Sequence, residues 1–275
     1  MENKKYCSIC GKEKEQKFIE FGEFRHYYSI ECECEKQERL KLENAKKDEA
    51  LATYLKKRTE ASRILKREEG AFFDRLVVDE HNKKAVSAAK YIADLMLKGS
   101  EAQGKNGLVL LGNRGSGKTY IAASIINEYN KKEPVNESAL NEVIKAHDKG
   151  FKNDVGFRID SRCRFMKERE ILSLYEKQRY KEEKSPIDEF KNAKILVVDD
   201  LGSTYGDSKR ITSDLFDFFD YRYSQRLSTI ITTNLSKEEF YRYLGERTID
   251  RLNDCCHYIT LTSPTSRRSN VSAKC

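Results

Sequence analysis

Gly112-Asn-Arg-Gly-Ser-Gly-Lys-Thr119 is the stretch that decides the fold of this chain. It matches the pattern Gly-x4-Gly-Lys-Ser/Thr in full, and it stands between the apolar run 107–111 and the helical pattern 120–129. Glycines let successive backbone N–H groups face inward, and the helix that follows directs its positive end at the same point. The sequence therefore predicts a phosphate-binding loop made of Gly112, Asn113, Arg114, Gly115, Ser116, Gly117, Lys118 and Thr119.

Two acidic residues, Asp199 and Asp200, end a second apolar run at 195–198. Acids at the carboxyl end of a buried parallel strand lie where α/β proteins bind their ligands. We expect Lys118 to reach the β- and γ-phosphates of a nucleotide, and Thr119 and Asp199 to hold Mg²⁺. Asp200 is the expected base or water-positioning group. Alone, the segment would be a strand ending in a solvated acidic turn, but the phosphate loop upstream favours the catalytic interpretation.

A third run, Thr229 to Thr233, is β-branched and ends in Asn234. The Asn234 amide is placed to hydrogen-bond a γ-phosphate or the attacking water, although alone it would be an ordinary turn residue. Unbroken apolar strands separated by helical segments, such as the one predicted at 83–97, indicate an α/β fold. In that fold a parallel sheet is flanked by helices on both faces.

Composition and length fit one large domain with a small appendage, since the chain has 275 residues, of which 38% are hydrophobic and 35% charged. No run approaches the roughly 18 uncharged apolar residues that a membrane helix needs, so we expect a cytoplasmic protein without membrane contact. The net charge of +7 permits a polyanionic partner but does not require one.

We predict three regions: a small cysteine-bearing domain at 1–35, a helical linker at 36–80 and, at 81–275, the domain that carries the phosphate-binding loop. The stretch 36–69 has neither Gly nor Pro and interleaves opposite charges, which predicts one long or two shorter exposed helices. The stretch 131–154 is long and polar, and it is expected to be an exposed insertion.

Four of the eight cysteines lie near the start of the chain as two close pairs, Cys7-x-x-Cys10 and Cys32-x-Cys34. In a reducing compartment such pairs indicate metal binding, and four thiolates form a tetrahedral site for Zn²⁺. A segment of about 35 residues cannot bury much core, so it has a physical reason to use a metal. The alternatives are four reduced structural thiols, or His26 in place of one ligand.

The order of these motifs resembles that of an AAA+ ATPase. The sequence segments around these motifs resemble a narrower group of proteins. They are Val197–Gly202, Leu215–Phe219, Tyr221–Tyr223, Ile230–Leu235 and Gly245–Leu252. Together they resemble the DnaC/DnaI-type replicative helicase loaders and their IstB relatives, over roughly residues 80–270. The sequence is compatible with a cellular or a phage-encoded source.

The resemblance implies ATP hydrolysis, with Asn234 as the sensor-1 residue and Arg251 as an arginine finger that reaches a neighbouring subunit, Arg247 being the second choice. It also implies a sensor-2 arginine, for which Arg268 is preferred over Arg267. Each guanidinium is a permanent, forked cation suited to phosphate. The alternative for any one of these arginines is a surface salt bridge.

The partners that the resemblance implies are a replicative hexameric DNA helicase, single-stranded DNA and further copies of the chain through the AAA+ domain. In some such loaders a zinc-bearing N-terminal domain contacts the helicase. Between Arg162 and Lys181, basic residues are interleaved with Phe165, Tyr175 and Tyr180. This pattern suits single-stranded DNA, and it equally suits a solvated helix whose aromatic side chains face the core.

The leading hypothesis is an ATP-dependent loader of the replicative DNA helicase onto single-stranded DNA during replication initiation. The first alternative is a transposition helper ATPase of the IstB type, which would engage duplex DNA and a transposase. The second is a non-catalytic zinc adaptor with a nucleotide-sensing phosphate loop. The cysteine cluster favours the loader over the helper.

Overall fold

The computed structural model of the chain describes residues 5–22, 24–99, 104–151, 161–180, 187–204, 208–263 and 266–267. The strands are β1 (Gln16–Phe21), β2 (Phe24–Ser29), β3 (Gly107–Gly112), β4 (Cys163–Lys167), β5 (Ile195–Leu201), β6 (Ser228–Thr233) and β7 (Cys256–Leu261). The helices are α1 (Glu33–Ala61), α2 (Lys83–Leu97), α3 (Lys118–Lys132), α4 (Glu137–Asp148), α5 (Glu168–Arg179), α6 (Ile187–Lys191), α7 (Ser208–Ser224), α8 (Lys237–Leu244) and α9 (Glu246–Cys255).

The chain divides into two compact units, the smaller with residues from 1–54 and 136–157 and the larger with residues from 55–135 and 158–275. In the smaller unit β1 and β2 form an antiparallel hairpin. Helix α4 occupies much of the stretch expected to be an insertion, and Asp148 at its end pairs with Lys46 of α1 at 2.8 Å. The predicted domain boundaries at 35 and 80 stay predictions.

The charged linker helix is shorter and more buried than its sequence suggests. Helix α1 ends at Ala61, because Arg63 adopts a left-handed conformation with φ of 56°. Its last turns belong to the larger unit, where Arg58 is 2% exposed and donates to the carbonyl oxygens of Asn130, Glu133 and Pro134, each at 3.0 Å. One face of this helix is therefore part of the fold rather than solvated.

The larger unit is built on a parallel sheet, which confirms the predicted α/β class. Among the described residues, five strands pair in the order β4-β5-β6-β3-β7, and every pair is parallel. Alternate residues of β3 enter two different cores, with Leu108 and Leu110 on one face and Val109 and Leu111 on the other. Both faces are covered, so the strands are apolar throughout, as parallel sheets require.

This strand order gathers the predicted motifs. The strands β5, β6 and β3 are adjacent and parallel, so their carboxyl ends meet at one edge of the sheet. The three predicted apolar runs and the helix predicted at 83–97 are confirmed as β3, β5, β6 and α2. Among the described helices, none combines the length and apolarity needed to cross a membrane.

Candidate functional site

The phosphate-binding loop joins β3 directly to α3. Gly112 ends the strand with φ of +140°, and a Cβ at this position would overlap the backbone carbonyl of Leu261 in β7. Only glycine permits this approach and this conformation. The loop then runs to Gly117, the residue before α3, so the positive end of a helix faces the loop.

Lys118 is the first residue of α3 and is 7% exposed. Its Nζ donates to the carbonyl oxygens of Gly112 and Asn113, both at 2.8 Å, and to Oδ1 of Asn234 at 3.0 Å. The ammonium thus lies beside the backbone of the loop and the N-terminus of α3, where an anion is favoured. The position fits the phosphate contact predicted for Lys118.

The two residues predicted to hold Mg²⁺ touch each other. The Thr119 hydroxyl donates to Asp199 Oδ1 at 2.9 Å, and Thr232 donates to the same oxygen at 2.7 Å. Asp199 is 3% exposed, so its carboxylate is fixed by these contacts. Hydroxyl and carboxylate oxygens are the ligands that Mg²⁺ prefers, and the pair fits that ion. The sequence analysis did not single out Thr232, whose only signal was its place near the end of a strand.

Asp200 has a left-handed backbone, with φ of 57° in a strand that is otherwise regular. The pairing of β5 with β6 shifts register between Val198 and Leu201, so Asp200 lies in a bulge. Its Oδ1 accepts from Asn234 Nδ2 at 2.6 Å. A non-glycine residue in this conformation costs about 1–2 kcal/mol, and such strain concentrates at functional sites.

Contacts through Asn234 join the loop and the acidic strand into one network. Asn234 accepts from Lys118 and donates to Asp200, as given above. Thr232 accepts from the Asp200 amide at 3.0 Å while it donates to Asp199. The structure thus brings together Lys118, Thr119, Asp199, Asp200 and Asn234, whose roles stay predictions.

The arginine candidates lie in different settings. Arg251, on α9, donates from Nε to Asp220 Oδ1 at 2.7 Å and stands over the rings of Phe216 and Tyr223. The hydrogen bond to Asp220 raises the pKa of Arg251 above its ordinary value. Arg247 is exposed on the same helix. Arg251 therefore has a partner within its own chain. Its action on a neighbouring subunit stays a prediction.

Of the two sensor-2 candidates, Arg267 lies against the phosphate loop, whereas the preferred Arg268 falls outside the described residues. The Arg267 amide donates to Gly115 O at 3.0 Å, and its guanidinium donates to Asp79 Oδ2 at 2.5 Å. Arg267 is therefore near the predicted phosphate site, and Asp79 is a partner that the sequence analysis missed.

The N-terminal cysteines form one cluster. The Sγ atoms of Cys7, Cys10, Cys32 and Cys34 all lie within 4.8 Å of one another. Cys7 to Cys34 is 3.9 Å, Cys10 to Cys32 is 3.6 Å and Cys32 to Cys34 is 3.3 Å. Four sulfurs bound to Zn²⁺ at 2.3 Å would lie about 3.8 Å apart, so the cluster fits a tetrahedral zinc site.

The electrostatics of the cluster agree with a cation site. Hydrogen bonding with Cys10 and then with Cys32 raises the pKa of Cys34 to about 12, since a proton shared among crowded sulfurs is held more tightly. A bound cation reverses this balance and stabilises the thiolates. The Cys7 sulfur also accepts backbone N–H groups from Ile9 at 3.4 Å and Cys10 at 3.5 Å, which orient it toward the cluster.

We expect purified protein to contain about one zinc per chain, and the double substitution Cys7→Ser with Cys10→Ser to release it. The hairpin β1–β2 should loosen, because the metal replaces a core that so short a segment cannot build. The measurement is metal analysis combined with amide hydrogen exchange. Cys163→Ser and Cys255→Ser, changed together, are the control and should keep the metal. Protein that neither contains zinc nor takes it up on reconstitution would contradict the site.

The basic stretch considered for DNA binding is partly used by the fold, although Arg169 and Lys177 are exposed. Phe165 and Tyr175 are 2% and 7% exposed and belong to the cores, whereas Tyr180 is exposed. Arg164 pairs with Glu189 at 2.8 Å, and Arg179 forms a two-armed pair with Asp214. The core-facing alternative therefore holds for two of the three aromatic residues, and no stacking groove is formed by them.

Comparison with known proteins supports the resemblance inferred from the sequence. Residues 153–274 match the family model described as IstB-like ATP binding protein. That range holds Asp199, Asp200, Asn234 and Arg251, and the phosphate loop precedes it. No curated protein matches the chain in sequence.

Solved structures show the same fold. The crystal structure of the DnaC helicase loader has a TM-score of 0.53 and 21% identity, and the match covers 72% of this chain and 99% of that one. The crystal structure of DnaI has a TM-score of 0.51 and 20% identity, with coverage of 74% and 94%. Domain III of the Thermotoga maritima replication initiation protein DnaA has a TM-score of 0.50 and 18% identity, with coverage of 74% and 72%. The larger unit therefore shares its fold with these structures, and residues 153–274 are similar to the IstB-like family, in agreement with the resemblance inferred from the sequence.

Proposed function

We propose that this protein hydrolyses ATP and, by doing so, loads a replicative DNA helicase onto single-stranded DNA. The observation that carries the ATPase part is the network of Lys118, Asn234 and Asp200 beside the pair Thr119 and Asp199. Three adjacent strands supply these groups at one edge of the sheet. They are the cation, metal ligands and carboxylate that phosphoryl transfer to water requires.

Each side chain has a distinct role in this proposal. Lys118 exchanges its carbonyl acceptors for the β- and γ-phosphates, and Thr119 and Asp199 hold Mg²⁺, which neutralises phosphate charge when bound. Asp200 orients the attacking water and accepts its proton. Asn234 contacts Lys118 and Asp200 at once, so it holds the two groups in register.

Asp200→Asn should slow ATP hydrolysis by roughly 10²-fold or more, because a general base is lost. Nucleotide binding should be nearly unchanged, since the phosphate loop is untouched. The substitution is conservative, as asparagine keeps an oxygen for the Asn234 amide. The measurements are kcat and the dissociation constant for ATP. Asp148→Asn, at an exposed carboxylate of α4, is the control. Wild-type turnover in Asp200→Asn would exclude the assignment.

The loading part of the proposal is supported by the fold shared with the DnaC helicase loader and with DnaI, together with the cysteine cluster. In this proposal the cysteine-bearing segment contacts the helicase, and the AAA+ units assemble around ATP and single-stranded DNA. The test is a pull-down with a replicative helicase, repeated after zinc is removed. Helicase capture that is lost with the metal supports the proposal, and no capture opposes it.

A transposition helper ATPase is the second candidate, because the matching family model is IstB-like. The two candidates differ in the DNA they engage. Stimulation of ATP turnover by single-stranded DNA favours the loader, and stimulation by duplex DNA alone favours the helper. Binding of ATP without turnover under either condition would favour the non-catalytic adaptor.

A further inference from the structure

Glu168 is a buried carboxylate outside the network described above. It is the first residue of α5, directly after β4, and it is 0% exposed. Strand β4 pairs with β5, so Glu168 lies at the same sheet edge as the carboxyl end of the acidic strand. A carboxylate is found at such depth only where hydrogen-bond donors surround it.

Three donors converge on the two oxygens of Glu168. Its Oε2 accepts the backbone amides of Gly202 at 3.1 Å and Thr204 at 3.2 Å, and its Oε1 accepts the Tyr243 hydroxyl at 2.7 Å. Burial, and then the hydrogen bond to Glu168, raise the pKa of Tyr243, so its hydroxyl stays a donor. The carboxylate therefore connects segments that are far apart in sequence.

The first of these segments is the chain that follows Asp200. Gly202 also has a left-handed φ of +86°, and a Cβ there would collide with the side chain of Leu235. The backbone thus makes two unusual conformations within three residues. The carboxylate of Glu168 accepts the amides of Gly202 and Thr204, which lie just beyond the last residue of β5.

The second segment is the end of α8. Tyr243 precedes Gly245, where the chain turns into α9, the helix that carries Arg247 and Arg251. Thr212 of α7 donates to the Tyr243 carbonyl oxygen at 3.3 Å. Tyr243 is therefore fixed both by Thr212 and by Glu168. A displacement of Glu168 would therefore reach both the acidic strand and the helix of the predicted finger.

We infer that Glu168 is a positioning residue for ATP hydrolysis, which fixes the chain after Asp200 and ties it to the corner between α8 and α9. The inference rests on the proposed function, because it assigns Glu168 to the same reaction. It contacts neither the phosphate loop nor the metal ligands, so it acts through the placement of Asp200.

The test compares two substitutions at this position. Glu168→Met removes both acceptors at similar size, and we expect kcat to fall roughly tenfold while KM for ATP stays within about twofold. Glu168→Gln keeps one oxygen for the two amides, and the Tyr243 hydroxyl can turn to accept from the new amide group. Glu168→Gln should therefore recover most of kcat. Equal losses in the two variants would overturn the inference.

Asp214→Asn is the matched control, since Asp214 is 5% exposed and pairs with Arg179 away from the site. It should lower the melting temperature but leave kcat within about twofold of wild type. If Asp214→Asn and Glu168→Met lower kcat equally, the role of Glu168 is structural only.

Amide hydrogen exchange keeps the inference testable without turnover. In the wild type the amides of Gly202 and Thr204 should be protected by roughly tenfold or more, and Glu168→Met should release them. Unprotected amides in the wild type would overturn the inference even if Glu168→Met does not fold. A wild type that shows this protection but never hydrolyses ATP would contradict the proposed function and leave the anchoring of the chain in place.

Discussion

Lys118→Ala is expected to abolish ATP hydrolysis, with a loss of more than about 10³-fold in kcat. Its buried ammonium lies at the N-terminus of α3, where it donates to the Gly112 carbonyl oxygen and to Asn234. The substitution removes the cation that is expected at the phosphates. It also removes a hydrogen bond to Asn234, the residue that donates to Asp200. Nucleotide binding should weaken as well, because the cation contacts the phosphates in the ground state.

The measurement is steady-state hydrolysis together with binding of a fluorescent ATP analogue. Lys194→Ala is the matched control: Lys194 precedes β5 at the opposite edge of the sheet, and burial lowers its pKa. That variant should keep its turnover, although it loses a hydrogen bond to Met96 O. Near-normal hydrolysis by Lys118→Ala would remove the basis of the whole active-site assignment.

Arg251→Ala is expected to lower hydrolysis by roughly 10³-fold or more while ATP still binds, if Arg251 completes the site of a neighbouring subunit. Most phosphate contacts come from the subunit's own loop, so affinity should be retained. Loss of the ion pair with Asp220 should be a small effect by comparison, since water and salt screen a partly exposed pair. The stability of the variant should therefore be close to that of the wild type.

The structure supplies a control that separates the finger from the salt bridge. Asp220→Ala breaks the same ion pair and leaves the guanidinium in place, so it should hydrolyse ATP far better than Arg251→Ala. Mixing Arg251→Ala with Lys118→Ala protein should restore part of the turnover, because the second variant still carries Arg251. Equal losses in the two ion-pair variants and no recovery on mixing would move the finger to Arg247.

The sequence was sufficient where a function is encoded by neighbouring residues. Three features are short sequence motifs: the phosphate loop, the acids after the apolar run 195–198 and the amide after the run 229–233. Two strands of the larger unit were not identified in this way. β4 contains Arg164, a charge that is buried only because Glu189 and nearby carbonyl groups receive it, and β7 is half exposed along its length. Neither strand shows the uniform apolar run that marks β3.

By itself the sequence determined the α/β class of the larger unit and its phosphate-loop motif, and it indicated the four cysteines of the cluster, because these depend on short spacings and on hydrophobic periodicity. Only the tertiary structure decided that Thr232 holds Asp199, that Asp79 receives Arg267 and that Glu168 joins the acidic strand to Tyr243. These contacts link residues 33, 188 and 75 positions apart. Such pairings depend on the order of the strands in the sheet and on which polar side chains are buried and must find partners within the protein. No short sequence pattern shows either of these.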